Sequence, residues 1–139
     1  GIKNYVAIKE AAGSVEQMAK IRRLTPKEFL IFSGDDNMTY PFLEKGAIGV
    51  ISVASHLVGK EIKRMIGLFQ QGKKPEAKAI HDRLMPLYEV IFITANPIPV
   101  KAALAMTGWP VGGLRLPLIE ATAQEKAAIK KVLKDLKLV

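Results

Sequence analysis

Apolar runs and helically spaced stretches alternate through the first half of the chain. Tyr5-Val6-Ala7-Ile8-Lys9-Glu10 reads as a strand that ends on a lysine, and alternate residues of a strand point to opposite faces. Tyr5, Ala7 and Lys9 therefore share one face, and Val6, Ile8 and Glu10 the other. Gly13 breaks the strand. Ser14-Val15-Glu16-Gln17 reads as a capping box that opens a helix to about Leu24, with Val15, Met18, Ile21 and Leu24 on its apolar face. Thr25-Pro26 turns the chain into Phe29-Leu30-Ile31-Phe32-Ser33, apolar on both faces as in a central parallel strand. That strand ends in the polar loop Ser33-Gly34-Asp35-Asp36. Thr39 is placed to cap a short helix, with Pro41 tolerated in its first turn. Ala47 to Val53 reads as a third buried strand, its small Ala47 and Gly49 suited to a crowded wall or a close ligand approach. A helix from Val58 to about Gly72 follows.

Beyond Gly72 the strand pattern disappears. Pro75 to about Thr94 has helical spacing, with Ala79, Ile80, Leu84, Leu87 and Ile91 on one face. Pro86 falls inside that helix and is expected to kink it, since its ring removes a hydrogen bond and crowds the preceding turn. Asn96-Pro97-Ile98-Pro99-Val100-Lys101 forms a rigid link into a helix from about Ile98 to Met106. Gly108, Pro110, Gly112 and Gly113 mark a loop, and Arg115 to Leu118 reads as extended. Thr122-Ala123-Gln124-Glu125 is a second capping box, starting a last amphipathic helix to about Leu136.

Strand–helix–strand–helix–strand is the signature of a parallel sheet with crossover helices. So few strands, apolar on both faces, cannot cover themselves, and an all-parallel sheet of this size leaves two bare edges. The expected fold class is α/β: part of a larger whole, a (β/α)8 TIM barrel of about 250 residues. Residues 1–72 are the expected barrel part, and residues 73–139 carry only helical spacing. The chain opens in a strand with no signal peptide, and this abrupt start implies that the natural N-terminus lies elsewhere.

Composition narrows the partners. The 139 residues are 49% hydrophobic and 24% charged, a globular balance. There is no cysteine, so disulfide and thiolate chemistry are excluded, which fits a reducing cytoplasm. The longest uncharged runs fall short of the roughly 20 apolar residues a membrane helix needs. The net charge of +8 comes from lysines scattered over helix faces without interleaved aromatics to stack bases, so no nucleic-acid partner is expected.

Lys9 carries the candidate chemistry. An ammonium at the end of a buried strand is costly to desolvate, which lowers its pKa and frees the amine to attack carbonyls. It is equally a lysine that snorkels to solvent at a strand end or pairs with Glu10. Asp35 and Asp36 read as a loop or cap pair that needs no metal, Ile51 as barrel packing, and Asn96 as a helix N-cap.

Five segments carry a resemblance in a common order and spacing: Val6-Ala7-Ile8-Lys9-Glu10-Ala11, Ser33-Gly34-Asp35-Asp36, Gly49-Val50-Ile51-Ser52-Val53, Asn96-Pro97-Ile98-Pro99-Val100-Lys101 and Leu114-Arg115-Leu116-Pro117-Leu118. Together the chain resembles the C-terminal half of the dihydrodipicolinate synthases, pyruvate-dependent aldolases of lysine and diaminopimelate biosynthesis, which implies that residues 1–72 are the last three βα units of the barrel, that residues 73–139 are a C-terminal helical domain, and that the N-terminal half of the barrel is absent. The resemblance implies that Lys9 is the Schiff-base lysine and that Ile51 lines the pyruvate pocket. It also implies that Gly34, Asp35, Asp36 and Asn96 neighbour the site. The implied substrates are pyruvate and L-aspartate 4-semialdehyde, with no cofactor and no metal, in a cytoplasmic homo-oligomer, commonly a tetramer. Sister aldolases acting on keto-deoxy sugar acids or sialic acids share the lysine strand, so they remain alternatives, as does a non-catalytic self-associating fragment. The family's tyrosine proton relay, its carboxylate-binding threonines, its semialdehyde arginine and its lysine-feedback site belong to the N-terminal half. Tyr5, Tyr40 and Tyr88 do not match the relay position. The resemblance therefore implies a complementary N-terminal half as partner and a chain that is inactive alone.

Overall fold

A computed structural model describes residues 4–139. It divides into two compact units, residues 4–52 with 60–81, and residues 53–59 with 82–139.

The first unit is built on a parallel sheet in the order β1 (Ala7–Glu10), β2 (Leu30–Ser33), β3 (Gly49–Val50). The register pairs Ala7 with Leu30, Lys9 with Phe32, Phe32 with Gly49 and Ser33 with Val50. Registered residues share a face, so one side carries Ala7, Lys9, Leu30, Phe32 and Gly49 and the other Ile8, Glu10, Ile31, Ser33 and Val50. The second of these sides is covered. Ile31 packs there with Met18, Phe42 and Ala47, and Ile8, Val15, Ile21, Phe29 and Met38 close around that cluster. These residues come from α1 (Val15–Leu24) and α2 (Thr39–Glu44) as well as the strands. Complete burial of a side chain such as Phe42 contributes about 1.5–3 kcal/mol. The face with Lys9 has no such cover: Leu30 is 38% exposed and Lys9 lies open.

Local chemistry shapes these elements, with some departures from the sequence pattern. Half of the expected capping box at α1 forms. Ser14 Oγ accepts from the Gln17 N–H at 3.1 Å, but the side chain it engages is the Glu16 carboxylate, at 3.0 Å. The end of α1 is held by Arg22, which donates to the carbonyl of Phe29 at 2.8 Å and to Thr25 Oγ1 at 3.1 Å, and also to the carbonyl of Pro26. Thr39 is not a cap. A 3-10 turn over Asp36–Met38 leads directly into α2, whose N-cap is Met38, and Thr39 Oγ1 donates back to the Asp35 carbonyl at 3.3 Å. The third strand is shorter than Ala47 to Val53. Gly46 turns the chain at φ 98° and the Ala47 N–H closes on the Phe42 carbonyl at 3.0 Å, so the start of the run belongs to a turn. A Cβ at Gly49 would touch the Phe32 ring at 3.4 Å, an ordinary van der Waals contact.

α3 (Ser55–Gln70) starts before the expected Val58, where the backbone leaves helical geometry (φ −129°, ψ 31°) and kinks the helix. α4 (Lys74–Val90) runs on through Pro86. Within the first unit, Tyr40 meets Phe69 edge-on at 5.6 Å and His81 at 5.7 Å, and Lys74 stands over the Phe69 ring at 5.3 Å.

In the second unit, α5 (Ile98–Met106) packs on α6 (Ala123–Asp135), burying Ile98, Ala103, Ile129 and Leu133. The capping box at α6 is complete. Thr122 Oγ1 accepts the Glu125 N–H at 3.2 Å, and Glu125 Oε2 accepts the Thr122 N–H at 2.7 Å. Arg115 to Leu118 is a turn rather than an extended segment, with a cis Leu116–Pro117 bond and the Leu118 N–H on the Arg115 carbonyl at 3.1 Å. No helix among the described residues is long and apolar enough to cross a membrane.

Candidate active site

The C-terminal ends of the strands gather most of the residues nominated by the sequence. Lys9 stands one residue from the end of β1. Its side chain shares a face with Phe32 and Gly49, and the ladder continues past β3 because the Ile51 N–H donates to the Ser33 carbonyl at 2.9 Å. Ile51 follows Gly49 by two residues and so keeps its parity. Lys9 and Ile51 therefore look out from one face, separated by the width of β2, roughly 10 Å at ordinary strand spacing. Ile51 is 49% exposed, as expected on the uncovered side. The burial anticipated for Lys9 is not found: it is exposed, and the core cluster packs on the opposite face of the sheet. Nor does Lys9 pair with Glu10. Glu10 points to the opposite, helix-covered face, is buried, and accepts the Ala12 N–H at 2.8 Å.

The loop after β2 lies between the two outer strand ends. The Gly34 N–H donates to the Glu10 carbonyl at 2.7 Å, immediately after Lys9. A Cβ at Gly34 would come within 2.4 Å of the Ala11 Cβ and 3.1 Å of the Glu10 carbonyl oxygen, so only glycine allows this approach. Gly34→Ala is expected to lower stability by about 1–3 kcal/mol, because backbone must shift to admit the methyl. Urea unfolding measures this, and a midpoint equal to that of the parent chain would contradict it.

Asp35 is held by its backbone carbonyl, which accepts from Ser33 Oγ at 2.7 Å and Thr39 Oγ1 at 3.3 Å. Burial pushes the Asp35 carboxyl above its ordinary value; Lys9 draws it down, and Asp36 and Glu10 push it up further. The Asp35 carboxyl thus feels the charges of Lys9, Asp36 and Glu10. Between the unfolded and the raised folded value, the folded chain binds more protons than the unfolded one. Asp35 therefore makes stability fall as pH rises through that interval. Asp35→Asn is expected to remove this fall, so its advantage over the parent grows from acidic to neutral pH. Urea midpoints at the two pH values check it; an advantage that shrinks toward neutral pH would contradict it.

Asp36 is 2% exposed, and its carboxylate accepts the Ser52 hydroxyl. That bond ties the β2 loop to the residue after Ile51. Sequence reading nominated Asp36 but gave Ser52 no role of its own beyond its place in a strand-end segment. Asn96 belongs to the second unit. It is exposed and precedes a cis bond to Pro97, the N-cap of α5, so it does not cap that helix. The second unit also has a cavity of about 330 Å³, lined by Ile98, Ala102, Met106 and Leu114 with Lys101 and Lys126. None of the nominated residues lines it. Among the described residues no cluster of three or more His, Cys, Asp or Glu is arranged to hold a metal ion.

The sequence matches the Dihydrodipicolinate synthetase family over residues 1–136. A 4-hydroxy-tetrahydrodipicolinate synthase of Cyanothece sp. is 50% identical over 138 residues, which are 99% of this chain and 47% of that protein. Among solved structures, the synthase from Cyanidioschyzon merolae with lysine bound aligns with a TM-score of 0.93 at 50% identity, over 96% of this chain and 45% of that one. The chloride-inhibited synthase from Acinetobacter baumannii, complexed with pyruvate, aligns with a TM-score of 0.94 at 30% identity, over 99% and 47%. The chain spans about half the length of the curated relatives it matches.

Proposed function

The chain belongs to the dihydrodipicolinate synthetase family, and on that footing we propose that it supplies the Schiff-base half of a 4-hydroxy-tetrahydrodipicolinate synthase. In this reading residues 1–72 are the last three βα units of a (β/α)8 barrel and residues 73–139 its C-terminal helical domain. The observation that carries it is Lys9 and Ile51 on one uncovered face at the C-terminal ends of a parallel sheet, where barrel enzymes keep their reacting groups. The uncovered face and the bare edges of β1 and β3 are where a complementary half of the barrel would close.

The chemistry follows from the amine. Nζ of Lys9, once unprotonated, attacks the keto carbon of pyruvate, and loss of water leaves a protonated imine. That imine withdraws electrons, so a proton leaves the former pyruvate methyl and an enamine forms. The enamine carbon adds to the aldehyde carbon of L-aspartate 4-semialdehyde. The amino group of that substrate then closes on the imine carbon, releasing Lys9 and 4-hydroxytetrahydrodipicolinate. This chain contributes the nucleophile, the Ile51 wall and the acidic loop at Gly34, Asp35 and Asp36. Proton relay and the carboxylate clamp belong to the complementary half. The closed barrel, like the family it resembles, is taken as a cytoplasmic homo-oligomer.

The test is product analysis of this chain combined with the unmatched half of the Cyanothece synthase. Consumption of aspartate semialdehyde with pyruvate, and no turnover of keto-deoxy sugar acids or sialic acid, is the expected result. Turnover of a sugar acid instead would assign the chain to a sister aldolase.

A further inference from the structure

The loop after β2 is tied at both ends to residues that directly follow the two proposed site residues. On one side the Gly34 N–H bonds the carbonyl of Glu10, next to Lys9, at 2.7 Å. On the other the Asp36 carboxylate takes the hydroxyl of Ser52, next to Ile51. Between them the loop is stiffened by Ser33 Oγ and Thr39 Oγ1, both on the Asp35 carbonyl. Asp36 is nearly fully buried and Ser52 half-buried, so this link is shielded from competing water. β3 pairs with β2 at Gly49–Val50, and one backbone bond extends the ladder on each side, the Ile48 N–H on the Ile31 carbonyl and the Ile51 N–H on the Ser33 carbonyl, both at 2.9 Å.

We infer that Asp36 and Ser52 are positioning residues for the pyruvate pocket, a cross-brace that fixes the strand end bearing Ile51 relative to the one bearing Lys9. Neither side chain is assigned contact with the reacting atoms. Asp36 lies under the loop, and Ser52 has the parity of Val50, on the face away from Lys9. Their effect is on where the pocket wall stands when pyruvate arrives. Small displacements of a positioned group cost a reaction heavily, up to about 100-fold for shifts near 1 Å. A hydroxyl donated to a buried carboxylate is also among the stronger hydrogen bonds.

The inference rests on the Schiff-base reading, and the experiment separates the two. In the barrel formed with the unmatched half of the Cyanothece synthase, Ser52→Ala is expected to raise KM for pyruvate about tenfold or more while kcat at saturation changes less. Ser52→Thr, which keeps the hydroxyl, is expected to restore most of the loss. Asp36→Asn, which keeps an acceptor without the charge, is expected to fall between them, and it serves as the second probe if Ser52→Ala does not fold. If the parent barrel forms no borohydride-stable pyruvate adduct, the Schiff-base reading and the brace fall together. If the parent forms the adduct but the variants lower only the unfolding midpoint and leave KM for pyruvate unchanged, the brace alone is overturned.

Discussion

Lys9→Arg, made in the closed barrel, is expected to abolish capture of pyruvate and to lower the condensation rate by about 10⁴-fold or more, the scale on which loss of a covalent nucleophile is felt. Arginine keeps the positive charge and most of the length, so the electrostatics of the strand ends change little. Its guanidinium stays protonated at any accessible pH and offers no free amine to a carbonyl. The substitution therefore isolates nucleophilicity from charge. Steady-state rates with pyruvate and L-aspartate 4-semialdehyde measure it. Activity within tenfold of the parent would show that another group forms the bond to pyruvate.

The second large effect is expected from the chain by itself. In the proposed reading the proton relay and carboxylate clamp come from a complementary half, while Lys9 and Ile51 of this chain are exposed. Positioned proton transfer alone accounts for about 10²–10⁴ in rate, and substrate positioning adds to that. The isolated chain is therefore expected to condense the two substrates at least about 10²-fold more slowly than the closed barrel. Its open face and edges, with Leu30, Ile48 and Ile51 each more than a third exposed, are expected to drive it to self-associate. Rate assays before and after the second half is added, with light scattering of each sample, measure both. Full activity in a strictly monomeric isolated chain would contradict both expectations.

Much of this architecture could be read along the chain because the decisive patterns are local. Strand parity set Lys9 against Glu10 on opposite faces, and the register bears that out. The box at Thr122 and Glu125 formed as read, since both partners lie within one helical turn. What escaped depended on contacts distant in sequence or on what covers a face. Lys9 was expected to be buried because its strand is apolar; the structure leaves it open, since only the side holding Ile8 and Ile31 meets the helices. The Ser52 contact to Asp36 spans 16 residues, and no spacing rule announces it. Nothing local to Arg22 announces that its guanidinium binds backbone carbonyls leading into β2. Thr39 read as a cap because threonine commonly caps, but the preceding 3-10 turn had already supplied the start of the helix.

The most direct measurement is borohydride reduction of the closed barrel in the presence of pyruvate, followed by peptide mass mapping. One reduced pyruvate per chain, on the peptide containing Lys9 and absent from the Lys9→Arg variant, is the predicted result. Label spread over several surface lysines, or confined to a peptide of the other half, would contradict it.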